Sequence, residues 1–213
     1  MAGAGDFNGD GSSDLIWQRP SDGLTEIQLM RGTTPIGGGA ITNNPFDRSF
    51  SIVGNGDFNG DGKSDLVWRR GSDGLTEIQF LKGNTPTGGG LILNSPFDAS
   101  FQVAGVGDFN GDGLADLVWH RADGLTEIQF LNGTTPIGGG AISNNPFDSS
   151  FQIAGVGDFN ADGHADLIYR RATDGLTEIQ FLNGNTAIGG GISSLGSQPI
   201  AGISQATAAA MAF

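Results

Sequence analysis

An all-β fold is predicted by three features of the sequence: it repeats itself four times, its apolar segments are short and strand-like, and it is rich in glycine. The segment GDFNGDGSSDLIW begins at Gly5 and returns in close variants at Gly56, Gly107 and Gly157, so the period is 51, 51 and then 50 residues. The chain has 213 residues, of which 38 are glycine. Glycine without a Gly-X-Y order excludes collagen and is typical of a chain with many tight turns.

Each repeat contains four strand-like segments. In the second copy, DLVW is rich in β-forming residues, DG marks a turn, LTEIQFL is a second strand, GGGLI leads into a third and SFQVAGV makes a fourth. Four short strands in a unit of this length indicate a propeller blade, which needs neighbours to cover both of its faces. We therefore predict a β-propeller of four repeats. A β-solenoid is the alternative, although its coils are usually shorter.

A single propeller domain over residues 1–213 is expected, with repeats at approximately 6–56, 57–107, 108–157 and 158–203 and a C-terminal tail at 204–213. The opening MAGAG matches VAGVG at 103–107, so we expect the chain to begin on part of a fourth strand. PIAGI at 199–203 is expected to supply the last strand of the fourth repeat. Three arrangements stay open: closure within one chain, a homodimer that completes a larger ring, or a piece of a longer array.

The composition narrows the classes of function. The formal charge is -13, from 23 acidic and 10 basic residues, which argues against nucleic acid as a partner. No stretch approaches 18 consecutive apolar residues, so no membrane span is expected. The chain has no cysteine, which leaves the cellular compartment open. No serine, histidine and acid set recurs and no thiol is present, so we do not expect an enzyme.

The acidic residues are concentrated in one loop of each repeat. Counted from its first aspartate, each loop has side-chain oxygens at positions 1, 3, 5 and 9, a glycine at position 6, and a carbonyl oxygen to offer at position 7. Hard oxygen ligands at alternate positions suit Ca²⁺, so we predict about four calcium ions per chain. The alternative is a turn that caps itself through side-chain to backbone hydrogen bonds. The predicted metal ligands are Asp6, Asn8, Asp10, Ser12, Asp14, Asp57, Asn59, Asp61, Lys63, Asp65, Asp108, Asn110, Asp112, Leu114, Asp116, Asp158, Asn160, Asp162, His164 and Asp166.

The loop differs from an EF-hand in its surroundings. An EF-hand has a glutamate at position 12 and helices on both sides. Here position 12 is Trp17, Trp68, Trp119 or Tyr169, and a strand follows. The ligand pattern is therefore expected within a β framework.

The motif DFNGDGKSDLVW, repeated with strand-rich spacers, resembles the FG-GAP or VCBS repeat. That repeat is found in the β-propeller of integrin α-subunits, in many secreted bacterial proteins and in some fungal lectins. The resemblance covers almost the whole chain and implies a secreted protein with calcium in outer loops and ligands bound between blades or on one rim. Known members usually have seven blades, so four repeats are a departure from the family.

A second set of residues recurs around the aromatic position. If Arg19 pairs with Leu24 and Arg121 with Leu125, the different lengths of the turns PSDG and ADG are absorbed in the turn. The aromatic residue then lies opposite the glutamate, and the arginine and a glutamine share their face. The candidate ligand-binding residues are Trp17, Arg19, Glu26, Gln28, Trp68, Arg70, Glu77, Gln79, Trp119, Arg121, Glu127, Gln129, Tyr169, Arg171, Glu178 and Gln180.

Two interpretations of this face stay open. In the structural one, the aromatic residues fill the gap between blades, and each arginine forms a partly buried pair with a glutamate. In the functional one, the aromatic ring stacks on a sugar while the polar side chains bond its hydroxyl groups. We predict a secreted calcium-binding propeller that binds carbohydrate or a cell-surface partner through crevices between blades. The alternative is a purely structural or adhesive module of a larger extracellular protein.

Overall fold

The computed structural model describes residues 1–93 and 95–192. The expected strand at 199–203 and the tail at 204–213 lie outside the described residues. Over the part that is described, the chain forms strands, turns and irregular segments without a helix, so there is none that could cross a membrane.

The strands follow the order of the repeats. The first sheet contains β1 (Gly3–Gly5), β2 (Asp14–Gln18), β3 (Thr25–Arg31) and β4 (Thr34–Ala40). The second contains β5 (Phe50–Gly56), β6 (Asp65–Arg70), β7 (Thr76–Lys82) and β8 (Thr85–Leu91). The third contains β9 (Phe101–Gly107), β10 (Asp116–Arg121), β11 (Thr126–Asn132) and β12 (Thr135–Ala141). The fourth contains β13 (Phe151–Gly157), β14 (Asp166–Arg171), β15 (Thr177–Asn183) and β16 (Thr186–Ile192).

Each sheet is a four-stranded antiparallel meander in which strands adjacent in the sequence are adjacent in the sheet. This arrangement confirms the prediction of an all-β propeller with four blades of four strands. We number the blades one to four in chain order. Each acidic loop joins the first strand of its blade to the second, so its position is fixed by two hydrogen-bonded strands.

The blades are offset from the sequence repeats. The segment SFQVAGVG ends a repeat in the sequence, but in the structure it pairs with the strand that follows the acidic loop, as Leu117 with Val106 and Asp116 with Gly107 show. The acidic loop closes a hairpin between these two strands, and the hydrogen bond from Phe109 N–H to Asp116 Oδ2 at 3.0 Å links the two ends of the loop. The connection between Leu91 and Phe101 is about as long as this loop, but the strands on either side of it belong to different sheets.

The register between the second and third strands agrees with the prediction. Trp17 lies opposite Glu26, and the same pairing holds in every blade. Arg19 N–H donates to Leu24 O at 2.8 Å, and Arg121 N–H donates to Leu125 O at 2.9 Å. The extra residue of the PSDG turn is therefore taken up in the turn without a change of register.

The GGG triplets lie inside the outer strands rather than in turns, next to a β-bulge. In the second blade the register shifts between Phe80 and Leu81 of β7, opposite the start of the triplet. Gly89 has φ of +112°, and a Cβ there would overlap the carbonyl oxygen of Ile78 on the neighbouring strand. Glycine is required at this position because both the backbone angle and the close approach exclude a side chain.

The chain divides into two compact units. The first comprises Met1–Ala99 with Asn132–Pro136, and the second comprises Ser100–Leu131 with the described residues from Ile137 onward. The core of the first unit joins Phe7, Ile16 and Ile27 of blade one to Leu66 and Trp68 of blade two. Burial of these apolar side chains between the two sheets is what stabilises the unit.

The second unit has an equivalent core. Phe109, Val118 and Ile128 of blade three pack in one cluster with Leu167 and Tyr169 of blade four. The same two sides of a blade thus meet in each unit. We call the side that bears the loop phenylalanine and the isoleucine of the third strand the trailing face, and the side that bears the aromatic residue of the second strand the leading face.

Candidate functional site

Each acidic loop is organised by its first aspartate. In blade one, Asp6 Oδ1 accepts hydrogen bonds from the backbone N–H groups of Gly9 at 2.7 Å and Asp10 at 3.2 Å, and Asp6 Oδ2 accepts one from Gly11 at 2.7 Å. The loops of blades two and three repeat this pattern. A single carboxylate therefore holds the backbone of the loop in a tight curve.

The residues at positions 3, 5 and 7 extend this network. Asn8 Oδ1 accepts a hydrogen bond from Asp10 N–H at 2.8 Å, and Asp10 Oδ1 accepts one from Ser12 N–H at 2.9 Å. The hydrogen bond from the Asn8 side chain is the main cause of a lowered pKa at Asp10. Side chains at position 7 vary: Lys63 Nζ donates to Asp61 O at 2.9 Å, whereas the corresponding residue of blade four is a histidine.

The aspartate at position 9 lies deeper than the others. Asp14 Oδ2 accepts from Phe7 N–H at 3.0 Å, and Asp14 Oδ1 accepts from Met30 N–H at 2.7 Å, so the carboxylate links the loop to the third strand. All four aspartates of this type are fully buried. Burial raises their pKa values, and those of Asp65 and Asp116 reach about 7.

The donor chemistry of the loops fits calcium, but the arrangement is also that of a self-capping turn. The loop side chains supply carboxylate and amide oxygens, each with more lone pairs than the hydrogen bonds use. Within residues 1–93 and 95–192, however, no three carboxylate or imidazole side chains converge as a metal site would require. The hydrogen bonds to backbone N–H groups are those of the alternative interpretation. Calcium binding therefore stays a prediction.

The aromatic residues of three blades are part of the core. Trp68, Trp119 and Tyr169 have no exposed surface. Phe46 stacks on Trp68 with ring centroids 4.5 Å apart, and Phe147 stacks on Tyr169 at 3.9 Å. A sugar cannot stack on rings that are already covered, so the functional interpretation of these three residues is corrected to a structural one.

Glutamines complete this packing. Trp68 Nε1 donates to Gln79 Oε1 at 3.1 Å, and Trp119 Nε1 donates to Gln129 Oε1 at the same distance. Both glutamines are buried. In blades two and three the glutamine therefore satisfies the one polar group of the tryptophan ring.

The arginines form ion pairs with turn aspartates, whereas the structural interpretation expected pairs with the glutamates. Arg70 Nη2 lies 2.7 Å from Asp73 Oδ2, and each blade has the same pair between its arginine and the aspartate of the DG turn. The turn aspartate is closer to the arginine in the chain than the glutamate is. It is also held in place by the hydrogen bond that it accepts from a backbone N–H group, so it binds the guanidinium group. The arginine lowers the pKa of Asp73 to about 2.

Blade one differs from the other three. Trp17 is 42% exposed, and Arg19 has 57% of its side chain exposed, against about a third for its counterparts. Glu26 is also exposed, whereas the glutamates of the other blades are half-buried. The sequence motif is the same, so the difference comes from the surroundings of blade one and not from its own residues.

A cleft of about 400 Å³ lies in the second unit, between the segment after β12 and the strands β15 and β16. Gln180 lines it, and its buried Oε1 has no hydrogen-bond partner, while its Nε2 donates weakly to Asn145 Oδ1 at 3.4 Å. The cleft is lined by Asn144, Pro146, Phe147, Glu178, Ile179, Gln180, Ala187, Gly189, Gly190 and Gly191.

The free oxygen of Gln180 follows from one difference in sequence. Blade four has Tyr169 where blades two and three have tryptophan, so no indole N–H is present to pair with the amide oxygen. Tyr169 Oη is buried and makes no hydrogen bond of good geometry, although Thr126 and Asn145 are close enough to moderate its pKa. Burial is the larger effect and raises that pKa to about 12.

Glu178 and Gln180 were among the candidate ligand-binding residues predicted from the sequence, and the other residues of the cleft were not. Asn144, Pro146 and Phe147 belong to the NNPFD segment, and the remaining wall includes the triplet of Gly189, Gly190 and Gly191. The signal that could have found the cleft is the exchange of tryptophan for tyrosine in one of four repeats.

A known structure shares the fold. A lectin from Agrocybe aegerita, described by its specific recognition of non-reducing terminal N-acetylglucosamine, superposes with a TM-score of 0.61 at 16% identity, covering 92% of this chain and 51% of the lectin chain. The chain thus spans about half the length of that lectin. The Tc holotoxin pore of Photorhabdus luminescens aligns with a TM-score of 0.40 at 17% identity. The alignment covers 88% of this chain and 12% of the holotoxin chain. No curated protein matches the sequence.

A family model supports the fold assignment. The model for the FG-GAP-like repeat matches residues 6–68 and again residues 57–119. Together the two matches extend from Asp6 to Trp119, which is more than half of the 213 residues. The resemblance expected from the acidic loop motif is thereby confirmed, and the chain belongs to the FG-GAP-like repeat family.

Proposed function

We propose that this chain is a secreted, non-catalytic propeller module that binds carbohydrate, and that its acidic loops bind calcium. The observation that carries the carbohydrate proposal is the cleft of the second unit, where the buried Oε1 of Gln180 has no partner. A buried acceptor without a donor costs free energy, and a ligand that donates to it recovers that cost.

The lining of the cleft has the chemistry that a sugar needs. The Glu178 carboxylate and the Gln180 amide oxygen accept hydrogen bonds from hydroxyl or amide N–H groups, and Asn144 offers both a donor and an acceptor. Pro146 and the glycine strand supply apolar surface without bulk. A volume of about 400 Å³ is within the range of small-molecule sites.

The same argument explains why blade four is preferred over blades two and three. In those blades the glutamine oxygen is occupied by a tryptophan N–H group. The proposal thus departs from four equivalent sugar sites and favours a site at Glu178 and Gln180. Because a lectin with the same fold recognises terminal N-acetylglucosamine, glycans with that terminal residue are the first class to test.

Calcium has a structural role in this proposal. The residues that would hold each ion are the side chains at loop positions 1, 3, 5 and 9 and the carbonyl group at position 7, and a bound divalent cation would neutralise carboxylates that otherwise repel one another. Secretion is supported by the family to which the chain belongs.

Binding to immobilised glycans, measured with and without a calcium chelator, tests the proposal. Tyr169→Trp places an indole N–H group where Trp68 and Trp119 have theirs, so we expect it to occupy Gln180 Oε1 and to reduce glycan retention by tenfold or so while the chain stays folded. Glu178→Gln should also reduce retention. Glu77→Gln in blade two is the matched control and should retain binding, because the acceptor oxygen of Gln79 is already paired.

Two results would count against the proposal. Retention that is unchanged in both Tyr169→Trp and Glu178→Gln would remove this cleft as the sugar site. No retention of any glycan by the unmodified chain, at any calcium concentration, would favour the alternative of a purely structural or adhesive module. That alternative is supported by the burial of Trp68, Trp119 and Tyr169, which serve the core.

A further inference from the structure

The leading face of blade one and the trailing face of blade four are exposed, although their counterparts are buried. Trp17 is 42% exposed, and the equivalent aromatic residues have no exposed surface. Phe159 in the loop of blade four is 43% exposed, whereas the loop phenylalanines of blades one to three are fully buried. Each of these faces therefore presents a large apolar side chain to solvent at the position where other blades bury it.

The neighbouring residues change in the same direction. On blade one, Leu24 is 36% exposed, and its counterparts are half-buried. On blade four, Ile179 is half-buried, and the isoleucines at the same position of the other blades are 1% exposed. The pattern extends over each face and is not a property of one side chain.

We propose that these two faces bind each other between two copies of the chain, with the trailing face of blade four of one copy on the leading face of blade one of its partner. The chain already packs a trailing face against a leading face inside each unit, as the core clusters of Phe7 with Trp68 and of Phe109 with Tyr169 show. Each copy carries one face of each kind, so a two-fold dimer buries both.

Backbone groups complete the match. Inside the units, the N–H group of the third-strand hairpin glycine donates to the carbonyl oxygen of the loop phenylalanine, from Gly83 to Phe7 at 2.7 Å and from Gly184 to Phe109 at 3.0 Å. The corresponding donor on blade one is Gly32, which is exposed. The corresponding acceptor on blade four is the carbonyl oxygen of Phe159.

A second backbone hydrogen bond between blades follows the same pattern. Inside the units, the residue at loop position 8 donates to the carbonyl oxygen of the first loop aspartate of the preceding blade, from Ser64 to Asp6 and from Ala165 to Asp108, both at 2.7 Å. On blade one the residue at position 8 is Ser13, which is exposed. The acceptor that corresponds to it is the carbonyl oxygen of Asp158 on the partner.

We call each contact between blade four of one copy and blade one of its partner a junction. It differs from the contacts between blades inside a unit in one respect. Phe46 and Phe147 stack on the aromatic residue of the following blade, and the fourth repeat has no PFD segment to supply such a ring. The dimer therefore lacks one aromatic contact at each junction. We therefore expect the dimer to dissociate on dilution, whereas the blades inside each unit stay packed.

Sedimentation velocity of the full chain over a range of concentrations tests the dimer. We expect a mass of twice 21.9 kDa at high concentration and a monomer on dilution. Trp17→Glu and Phe159→Asp should each give a monomer at every concentration. Because both side chains are already exposed in the single chain, circular dichroism should show that the fold is kept. Ile36→Glu and Ile137→Glu, at residues 44% and 53% exposed on outer strands, should leave the dimer intact.

Mixing the two monomeric variants tests the pairing of unlike faces. Trp17→Glu keeps an intact trailing face and Phe159→Asp an intact leading face, so the mixture should form a heterodimer through one junction. A pairing of like faces predicts no association in the mixture and would overturn the proposal. A monomeric mass for the unmodified chain at all concentrations, or a Trp17→Glu variant that remains dimeric, would overturn it as well.

Discussion

Trp68 donates a hydrogen bond of 3.1 Å from Nε1 to Oε1 of Gln79, and both side chains are buried. The bond joins the second strand of the blade to the third on the face that packs against the preceding blade. It gives the tryptophan ring a fixed orientation, with Phe46 stacked on it. The polar pair is thus part of the contact between blades in the first unit.

Replacement of Gln79 by leucine should destabilise the protein by about 1–3 kcal/mol, because it leaves the Trp68 N–H group buried without an acceptor. Urea unfolding monitored by circular dichroism measures the change. Gln28→Leu is the matched control: Trp17 in blade one is 42% exposed and can bond to water, so a loss well below that of Gln79→Leu is expected. Equal losses at the two positions would contradict the importance of the buried hydrogen bond.

The buried aspartates predict an unusual pH dependence for the metal-free protein. Burial raises the pKa values of Asp65 and Asp116 from about 3.8 to about 7, so the folded state binds more protons than the unfolded state between these values. Stability is therefore greatest at the acidic end of this range and falls as the pH rises through 7. Melting temperatures in metal-free buffer from pH 4 to pH 8 measure the effect.

General repulsion among the many acidic groups would act in the same direction, and salt separates the two causes. Repulsion between exposed charges is screened by 1 M salt, whereas the desolvation of a buried carboxylate is not. We expect the fall in melting temperature with rising pH to persist at high salt. A melting temperature that rises from pH 4 to pH 7 would show that these carboxylates are ionised at little cost in the folded state.

The middle glycine of each triplet should tolerate no side chain. Gly89→Ala combines a φ of +112° with overlap between the new Cβ and Ile78 O, so we expect a loss of at least about 2 kcal/mol. Gly71→Ala is the control, because a Cβ at Gly71 meets open space. Chemical denaturation of both variants should give a large loss for the first and a change near zero for the second. Similar values for the two variants would contradict the geometry of the outer strand.

The fold could be predicted from the sequence because local signals repeat four times and agree. The β-forming residues of DLVW and LTEIQFL, with a DG turn between them, predicted both the strands and the pairing of Trp17 with Glu26. The offset between repeat and blade was missed, since a strand at the end of one repeat can pair forward or backward with equal local plausibility. What favours the observed pairing is the acidic loop, because its aspartate at position 9 accepts a hydrogen bond from the N–H group at position 2 and so closes the hairpin.

The candidate site was predicted less completely, because its properties depend on neighbours that the motif does not encode. Trp17 and Trp68 have the same sequence context, yet one is exposed and the other buried. Arg70 was expected to pair with a glutamate on the adjacent strand, but the turn residue Asp73 lies within its reach at lower cost in side-chain order. The Gln180 oxygen has no partner because tyrosine stands in blade four where blades two and three have tryptophan, and a search for recurring residues does not reveal this.

Calcium binding is tested most directly by its linkage to folding. If the loops bind calcium only in the native state, the ion stabilises that state by mass action. Titration calorimetry should find about four ions per chain, and the melting temperature should fall by many degrees when calcium is removed. Asp61→Ala deletes a loop carboxylate of blade two but leaves in place the hydrogen bonds that Asp57 accepts from backbone N–H groups, so the fold should persist with one ion fewer. Asp47→Ala removes an exposed carboxylate outside the loops and should keep the full stoichiometry. An unchanged melting temperature on calcium removal would favour self-capping turns, whereas four ions in Asp61→Ala would contradict the assignment of Asp61 as a calcium ligand.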